Sequence, residues 1–214
     1  MHFKSSILAI IFSLFALTNA VTLNQFTRPR CGGQKAVCRN IGQRVCCEAA
    51  SRVFASASCT GCTSTDFHIT WNKVGRLFCG KSAAATHGGG CISGGSNLRG
   101  HSWCRLCGTS TSGVELQAAT CTSTAEPDAL EIGSKWFTVD RTVSEDDRNA
   151  LWALWDSEAD DASVPQKLLR YEIEAVTDDE IDVHVPGVNA NEEPGKPQVV
   201  LPGPGCTEEH AEEL

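Results

Sequence analysis

The sequence predicts a disulfide-rich, mainly β N-terminal domain, followed by a small α+β C-terminal segment with a disordered tail. Three observations support this fold class. Eleven of the twelve cysteines lie between Cys31 and Cys121. Short apolar segments in that region alternate with polar residues, as half-buried strands do. Cysteine is then absent until Cys206, while acidic residues become abundant. The first region is therefore expected to be held by disulfides and the second by apolar packing.

The first twenty residues have the features of a secretory signal peptide. Lys4 supplies a positive charge, residues 7–17 form an apolar run interrupted only by Ser13, and Ala20 is a small residue at the expected cleavage point. This run is shorter than the about 20 apolar residues that cross a bilayer. We therefore expect a secreted, extracellular protein without a membrane span, in a compartment where cysteines form disulfides.

Every cysteine after this segment is expected to belong to a disulfide, and eleven in the first region is an odd number. One of them should therefore pair with Cys206 and tether the tail. The adjacent Cys46 and Cys47 need separate partners, because their Cα atoms are about 3.8 Å apart and disulfides prefer about 4.4–6.8 Å. The full set is Cys31, Cys38, Cys46, Cys47, Cys59, Cys62, Cys79, Cys91, Cys104, Cys107, Cys121 and Cys206.

Two Cys-x-x-Cys pairs, at 59/62 and 104/107, are also compatible with zinc ligands. They are separated by 41 residues, whereas the two pairs of a zinc ribbon are about 15–20 residues apart. We therefore expect no metal and no cofactor in this protein.

Residues 31–121 are predicted to form a basic β domain, with residues 21–30 as a short lead-in before it. Within it, residues 52–56 and 67–74 have the composition of strands. Apolar and polar side chains alternate along residues 67–74, so one face of that strand should be buried. The other face, which carries His68, is expected to be solvated.

Residues 130–185 are predicted to form an acidic α+β domain. Ser144 is a good N-cap and three acids follow it, which predicts a helix over about 145–156. Alternating apolar residues on both sides of residues 177–180 predict a β-hairpin. Residues 186–214 are rich in Pro, Gly and Glu and are predicted to be a disordered acidic tail. The expected core residues are Trp136, Leu151, Trp155, Tyr171, Ile173 and Val183.

Charge divides the chain in the same place as cysteine does. Residues 21–121 contain eleven Lys and Arg against three Asp and Glu, a net charge of +8, whereas residues 122–214 have a net charge of −17. Such asymmetry indicates partners rather than fold. One hypothesis is that the acidic half docks on the basic half and masks it. Basic residues interleaved with aromatic ones can recognise an anionic or sugar surface, and the tentative binding face is Trp71, Lys73, Arg76, Arg99, Trp103 and Arg105.

A catalytic signature is absent from the sequence. The histidines after the signal segment lack metal-ligand spacing, and the acids at residues 156–161 lack the glycine and terminal Glu of an EF-hand loop. A nucleophile with a neighbouring base is not evident either. We therefore expect a non-enzymatic protein. The alternative is a small extracellular hydrolase or toxin enzyme, which a buried cluster of His68, His101 and an acid would favour.

A signal peptide, a cysteine-dense region with one Cys-Cys doublet, no catalytic signature and an acidic tail together resemble the secreted cysteine-rich proteins of filamentous fungi. Many of those proteins act as effectors or surface proteins. The resemblance implies an effector-like or cell-surface-binding protein whose basic face recognises an anionic or carbohydrate surface. The expected partners are an anionic polysaccharide or a host protein, and not nucleic acid, and the chain is expected to be a monomer.

Overall fold

The computed structural model describes residues 21–49, 52–107 and 121–176. The expected signal peptide at residues 1–20, the second strand of the predicted hairpin, the tail at residues 186–214 and the expected bond of Cys206 all lie outside the described residues.

The described part of the chain is mainly one antiparallel β-sheet, which confirms the predicted class for the cysteine-rich region. The strands are β1 Val21–Arg28, β2 Gly32–Ile41, β3 Val45–Glu48, β4 Phe54–Thr60, β5 Asp66–Val74, β6 Leu77–His87, β7 Ile92–Arg105, β8 Ser123–Ala125, β9 Ala129–Ile132, β10 Lys135–Thr138 and β11 Glu172–Ile173. Their order in the sheet is β11-β10-β9-β2-β1-β4-β7-β3-β8, with β5 paired to β7 and β6 paired to β5. Only β3 and β8 pair in parallel among these strands.

Residues 21–28 are a central strand, so the expectation that they form a lead-in outside the domain is wrong. β1 lies between β2 and β4, and Leu23 faces Cys38 on one side and Cys59 on the other. Leu23 is fully buried with these two residues and Trp103 in one apolar cluster. The segment contains no cysteine, and its place in the fold depends on strand pairing rather than on a disulfide.

The sheet continues from the basic half of the chain into the acidic half. β9 pairs with β2, placing Leu130 opposite Ala36, and β10 and β11 extend the sheet beyond β9. The main apolar cluster also draws on both halves, since Phe54 and Leu98 pack with Leu151 and other residues of the acidic half. The two regions distinguished by charge therefore share one sheet and one core.

The helix α1 spans Glu145–Asp156, where the sequence predicts it, and Ser144 caps it by accepting a hydrogen bond from the backbone N–H of Asp147. Leu151 and Trp155 are buried, as expected, and Trp136 is also buried.

Within the described residues, no helix has the length and apolar character that a membrane span requires.

The segment after α1 differs from the strand that alternation predicts. Residues Gln166–Tyr171 form a 3₁₀ helix, and only Glu172–Ile173 pairs as a strand. The side chains of Lys167, Arg170 and Tyr171 all donate hydrogen bonds to the carboxylate of Asp147. These bonds, that from Arg170 foremost, hold the pKa of Asp147 well below its ordinary value. Because three donors within five residues converge on one carboxylate, the chain curls there instead of extending.

Within the described residues, five disulfides join ten cysteines: Cys31–Cys91, Cys38–Cys47, Cys46–Cys79, Cys59–Cys62 and Cys104–Cys107. The prediction that Cys46 and Cys47 have different partners is confirmed. Cys47 connects β3 to β2, whereas Cys46 connects β3 to β6. Successive side chains of a strand point to opposite faces, so the doublet fixes β3 from both sides. Both Cys-x-x-Cys pairs are disulfides rather than metal ligands.

Replacing Gly100 with alanine is expected to lower the free energy of unfolding by about 1–3 kcal/mol, the usual cost of overpacking. A Cβ atom at Gly100 would lie 2.4 Å from the Cys79 sulfur and 2.9 Å from the Cys46 sulfur, so the disulfide or β7 must shift. Equilibrium unfolding in denaturant measures the loss. Gly42→Ala is the matched control, because its Cβ would meet nothing closer than Val45 Cγ2 at 3.8 Å. Equal stability of the two variants would contradict this packing.

Candidate functional site

The two tryptophans of the tentative binding face are buried. Trp71 is 5% exposed and its indole N–H donates to Ser102 Oγ at 2.8 Å, whereas Trp103 is fully buried and donates to the Ile41 carbonyl at 2.8 Å. Trp103 faces His68 across β5 and β7. Trp103 therefore lies on the same face of the sheet as His68. Trp71 is an odd number of residues along β5 from His68, so the Trp71 ring lies on the opposite face from the Trp103 ring. Trp103 therefore cannot stack on a surface ligand, whereas Trp71, although buried, lines a cavity together with Arg76.

The four basic residues of that face are also dispersed. Arg105 Nε donates to Asp66 Oδ1 at 2.7 Å, and Arg99 is half-buried on β7. Lys73 and Arg76 are exposed on the β5–β6 hairpin. The expected face therefore does not exist as a single exposed surface, because alternation along β5 and β7 sends its members to different sides of the sheet.

Residues 73–77, which we term the hairpin tip, expose two apolar and two cationic side chains next to each other. Val74 and Leu77 are 45% and 57% exposed, and Gly75 has a φ of +56° that permits the tight turn. Lys73 Nζ lies 4.6 Å from the centre of the Phe78 ring. No ion pair involves Lys73 or Arg76 within the described ranges.

Elsewhere in the basic half, acidic partners neutralise several cations. Three ion pairs cross from the basic half to the acidic half: Arg28–Glu158, Arg39–Asp128 and Arg52–Asp156. The last two pairs have N···O distances of 2.8 Å. The acidic half thus contacts the basic half at these three positions, none of which lies in the hairpin tip.

Beside the hairpin tip lies a groove formed by three adjoining cavities of about 330, 250 and 670 Å³, all of which Glu48 lines. We term it the Glu48 groove. The first cavity lies against Arg76 and Phe78, the second also contacts Phe78 and reaches Arg148, and the third shares Arg148 and Glu126 with the second. Because all three cavities share Glu48, they adjoin one another around this residue.

Glu48 occupies an unusual electrostatic position for an acid of the basic half. Its burial raises the pKa of the carboxyl, and the nearby Glu126 raises it further, while Lys73 has the opposite effect. Glu48 therefore takes up a proton in less acidic solution than an ordinary glutamate. The sequence offers one signal that could have singled it out, since Glu48 is one of only three acids in residues 21–121.

His68 and His101 form a buried pair, so the expectation that His68 is solvated is wrong. His68 Nδ1 lies 2.9 Å from His101 Nε2, and both residues are fully buried. Both faces of β5 are covered in this sheet, which alternation alone does not reveal. Burial lowers the pKa of His68 to about 4, with a smaller opposite effect from a backbone hydrogen bond at Gly90. Burial, and then the proximity of His68, lowers the pKa of His101 well below its ordinary value.

The histidine pair lacks the acid that would favour a catalytic site. In the described part of the chain, no carboxylate hydrogen-bonds to either ring. Asp66, on the same face of β5, is engaged by Arg105 and Thr63 instead. Because the rings are also inaccessible to solvent, the pair bears on stability rather than on a bound substrate.

One group of potential metal ligands occurs among the described residues. The sulfur atoms of Cys46, Cys79 and Cys121 lie within 4.8 Å of one another. Cys46 and Cys79 share a disulfide, and metal binding by cysteine requires the thiolate. This group is therefore not a metal site in the oxidised protein.

Comparison with known proteins yields no family model, no curated protein and no solved structure that matches this chain. The candidate surfaces are consequently defined by their geometry alone, and they are the hairpin tip and the Glu48 groove beside it.

Proposed function

We propose that this chain is a secreted, non-enzymatic protein of the effector-like or cell-surface-binding kind that binds an anionic polysaccharide through the hairpin tip. The observation that carries the proposal is the exposure of Lys73 and Arg76 beside Val74 and Leu77, with neither cation in an ion pair with another described residue. The five disulfides among the described residues suit an oxidising extracellular environment.

The composition of the tip favours a charged sugar chain as its partner. Lysine and arginine pair with carboxylate or sulfate groups, while exposed aliphatic side chains pack against the apolar faces of sugar rings. Single exposed ion pairs contribute only up to about 1 kcal/mol. A polymer that presents anions repeatedly compensates for this weakness through its high local concentration of binding groups.

The double variant Lys73→Gln/Arg76→Gln is expected to bind an anionic polysaccharide such as heparin about tenfold more weakly than the wild type. Two surface charge contacts of about 0.7 kcal/mol each account for this factor. Affinity chromatography and titration calorimetry at low and at moderate salt measure the loss, and wild-type binding should weaken as salt rises.

Arg44→Gln is the matched control for this experiment. Arg44 is exposed, and its backbone N–H bonds to the carbonyl of Trp103, which pairs with His68 near the far end of β5 from the tip. The control should bind as the wild type does. Equal loss in both variants, or binding to anionic lipid vesicles or to a protein partner without binding to polysaccharide, would contradict the proposal.

A small extracellular hydrolase is the second hypothesis, and one observation favours it. Glu48 and Glu126 are neighbouring carboxylates in a groove, and environments that push two carboxyl pKa values apart are typical of acid–base catalysis. The raised pKa of Glu48 is in keeping with a proton donor. Release of reducing ends from a polysaccharide incubated with the protein would support this second hypothesis over binding alone.

A further inference from the structure

We propose that the Glu48 groove binds a short segment of a linear polyuronate that enters from the hairpin tip, with Arg76 and Arg148 holding sugar carboxylates and Glu48 making binding stronger in acid. This inference rests on the proposed function, and it specifies the chemical class of the polysaccharide and the place where a single chain is held.

The size of the groove suits a short segment of a sugar chain. Cavities of about 330 and 670 Å³ fall within the about 300–1,000 Å³ typical of ligand pockets, and they share Glu48 with the about 250 Å³ cavity. Arg76 and Leu77 belong to both the hairpin tip and the first cavity. A chain bound at the tip can therefore continue directly into the groove.

Arginines are placed along the groove for a repeated carboxylate. Arg76 lines the first cavity, Arg148 lines the second and third, and the exposed Arg141 lines the third. None of these three side chains forms an ion pair with another described residue. The planar guanidinium matches a carboxylate with two parallel hydrogen bonds. Phe78 is a half-buried aromatic wall between the first two cavities.

The residues that line the groove also carry charges that repel or attract an anion near Glu48. Glu126 adds negative charge, whereas Lys73, Arg52, Arg76 and Arg148 add positive charge around the same carboxyl. Arg52 is engaged by Asp156 and by the Trp152 ring. When ionised, Glu48 repels a sugar carboxylate from the centre of the groove.

Protonation of Glu48 changes this repulsion into a contact. A neutral carboxyl group can donate a short hydrogen bond to a carboxylate, and a sugar carboxylate stays ionised while Glu48 is neutral because the pKa of Glu48 is raised. Binding should therefore tighten as the pH falls, while the sugar carboxylates stay ionised. A sulfate should gain less, because it is also released from the repulsion but accepts the hydrogen bond more weakly as a weaker base.

The test is a titration of the full chain with short oligogalacturonides at about pH 7 and at about pH 5, because the raised pKa of Glu48 lets it take up a proton in less acidic solution than an ordinary glutamate. Circular dichroism confirms that the chain is folded at both values. The wild type should bind at least about threefold more tightly at the lower pH, as expected for one charge contact. Glu48→Gln should bind about threefold more tightly than the wild type at pH 7 and lose the pH dependence.

Arg148→Gln should weaken binding about threefold or more at both pH values. The matched controls are Glu145→Gln and Arg44→Gln, which remove exposed charges outside the groove and should leave both affinity and pH dependence unchanged. A sulfated oligosaccharide should show a smaller gain in affinity at the lower pH than the oligogalacturonide does.

Failure of this inference is distinguishable from failure of the proposed function. Binding of the polymer without binding of short oligogalacturonides, or an unchanged pH profile in Glu48→Gln, would overturn the groove and leave the hairpin tip intact. Loss of binding to polymer and oligomer alike would overturn both. Cleavage of the oligogalacturonide would also overturn the inference, because Glu48 would then act as a proton donor to the substrate.

Discussion

Trp103→Ala is expected to lower the free energy of unfolding by about 3–5 kcal/mol, as large-to-small substitutions of buried aromatic residues do. Trp103 is fully buried and packs with Leu23, Cys38 and Cys59, which belong to three different strands. Its removal leaves a cavity between those strands and frees the Ile41 carbonyl, which accepts the indole hydrogen bond at 2.8 Å. Equilibrium unfolding in urea with the disulfides intact measures the loss.

Trp103→Phe separates packing from hydrogen bonding and is the matched control. It retains a ring but removes the indole N–H, so the expected loss is smaller, about 1–3 kcal/mol. The sequence pattern predicts that Trp103 lies on an exposed binding face. In that case Trp103→Ala would lower the affinity for polysaccharide and leave the stability unchanged. A Trp103→Ala variant with wild-type stability and no affinity for polysaccharide would restore the original interpretation and contradict the burial of this ring.

Acidification is expected to destabilise the protein through the His68–His101 pair. In the folded chain the pKa of His68 is lowered from 6.5 to about 4, so the unfolded chain takes up a proton that the folded chain excludes. Protonation of His68 therefore leaves the free energy of unfolding unchanged above pH 6.5 and lowers it as the pH drops below 6.5. This decrease ends below about pH 4, where His68 is protonated in the folded chain as well. The loss for His68 is about 3 kcal/mol, and His101 contributes in the same direction.

Burial lowers both pKa values, and the geometry of the pair also prevents both rings from being charged at once. Only one hydrogen can occupy the 2.9 Å space between His68 Nδ1 and His101 Nε2, so two charged rings would direct two N–H groups at each other. The pair can therefore keep one N–H···N bond while it is neutral or carries one charge, and charging the second ring must break that bond. Urea unfolding curves at a series of pH values between about 7.5 and 4 measure this dependence.

The double variant His68→Gln/His101→Gln should lose most of the slope of stability against pH in that range, whatever its absolute stability. His87→Gln is the matched control, since His87 is an exposed histidine on the neighbouring strand β6, and it should keep the wild-type slope. The pKa values of Asp66 and Asp147 are lowered in the folded chain. These carboxylates therefore lose their contributions to stability at more acidic pH than the range in which the two histidines take up protons. A wild-type slope in the double variant would refute the role of the pair.

Local signals in the sequence were sufficient for features that depend on neighbouring residues. The N-cap Ser144 and the acids after it located α1, and the geometry of adjacent cysteines separated the partners of Cys46 and Cys47. The alternation of residues 67–74 identified β5. Each of these inferences needs only the period of a strand or helix, or the length of a peptide unit.

Features that depend on long-range pairing could not be obtained from the sequence. Alternation gives two faces to β5 and to β7 but does not say what covers each face. The sequence therefore predicts a solvated His68 on β5 and an exposed Trp103 on β7. The strand at Val21–Arg28 contains no cysteine, and its central position depends on β2 and β4. The Glu48 groove combines β3, the hairpin tip, the segment before β9 and α1, which no local pattern brings together.

The pairing of β9 with β2 determines how a chain truncated before residue 122 would behave in solution. Removal of residues 122–214 would leave Ala36 and Val37 of β2 without the strand that pairs with them, and Phe54 and Leu98 without the helix that covers them. An open strand edge with exposed apolar side chains is a template for the association of chains. A truncated protein would therefore be prone to aggregate, and any increase in its adhesion to polymers would reflect that open edge as well as the uncovered positive charge.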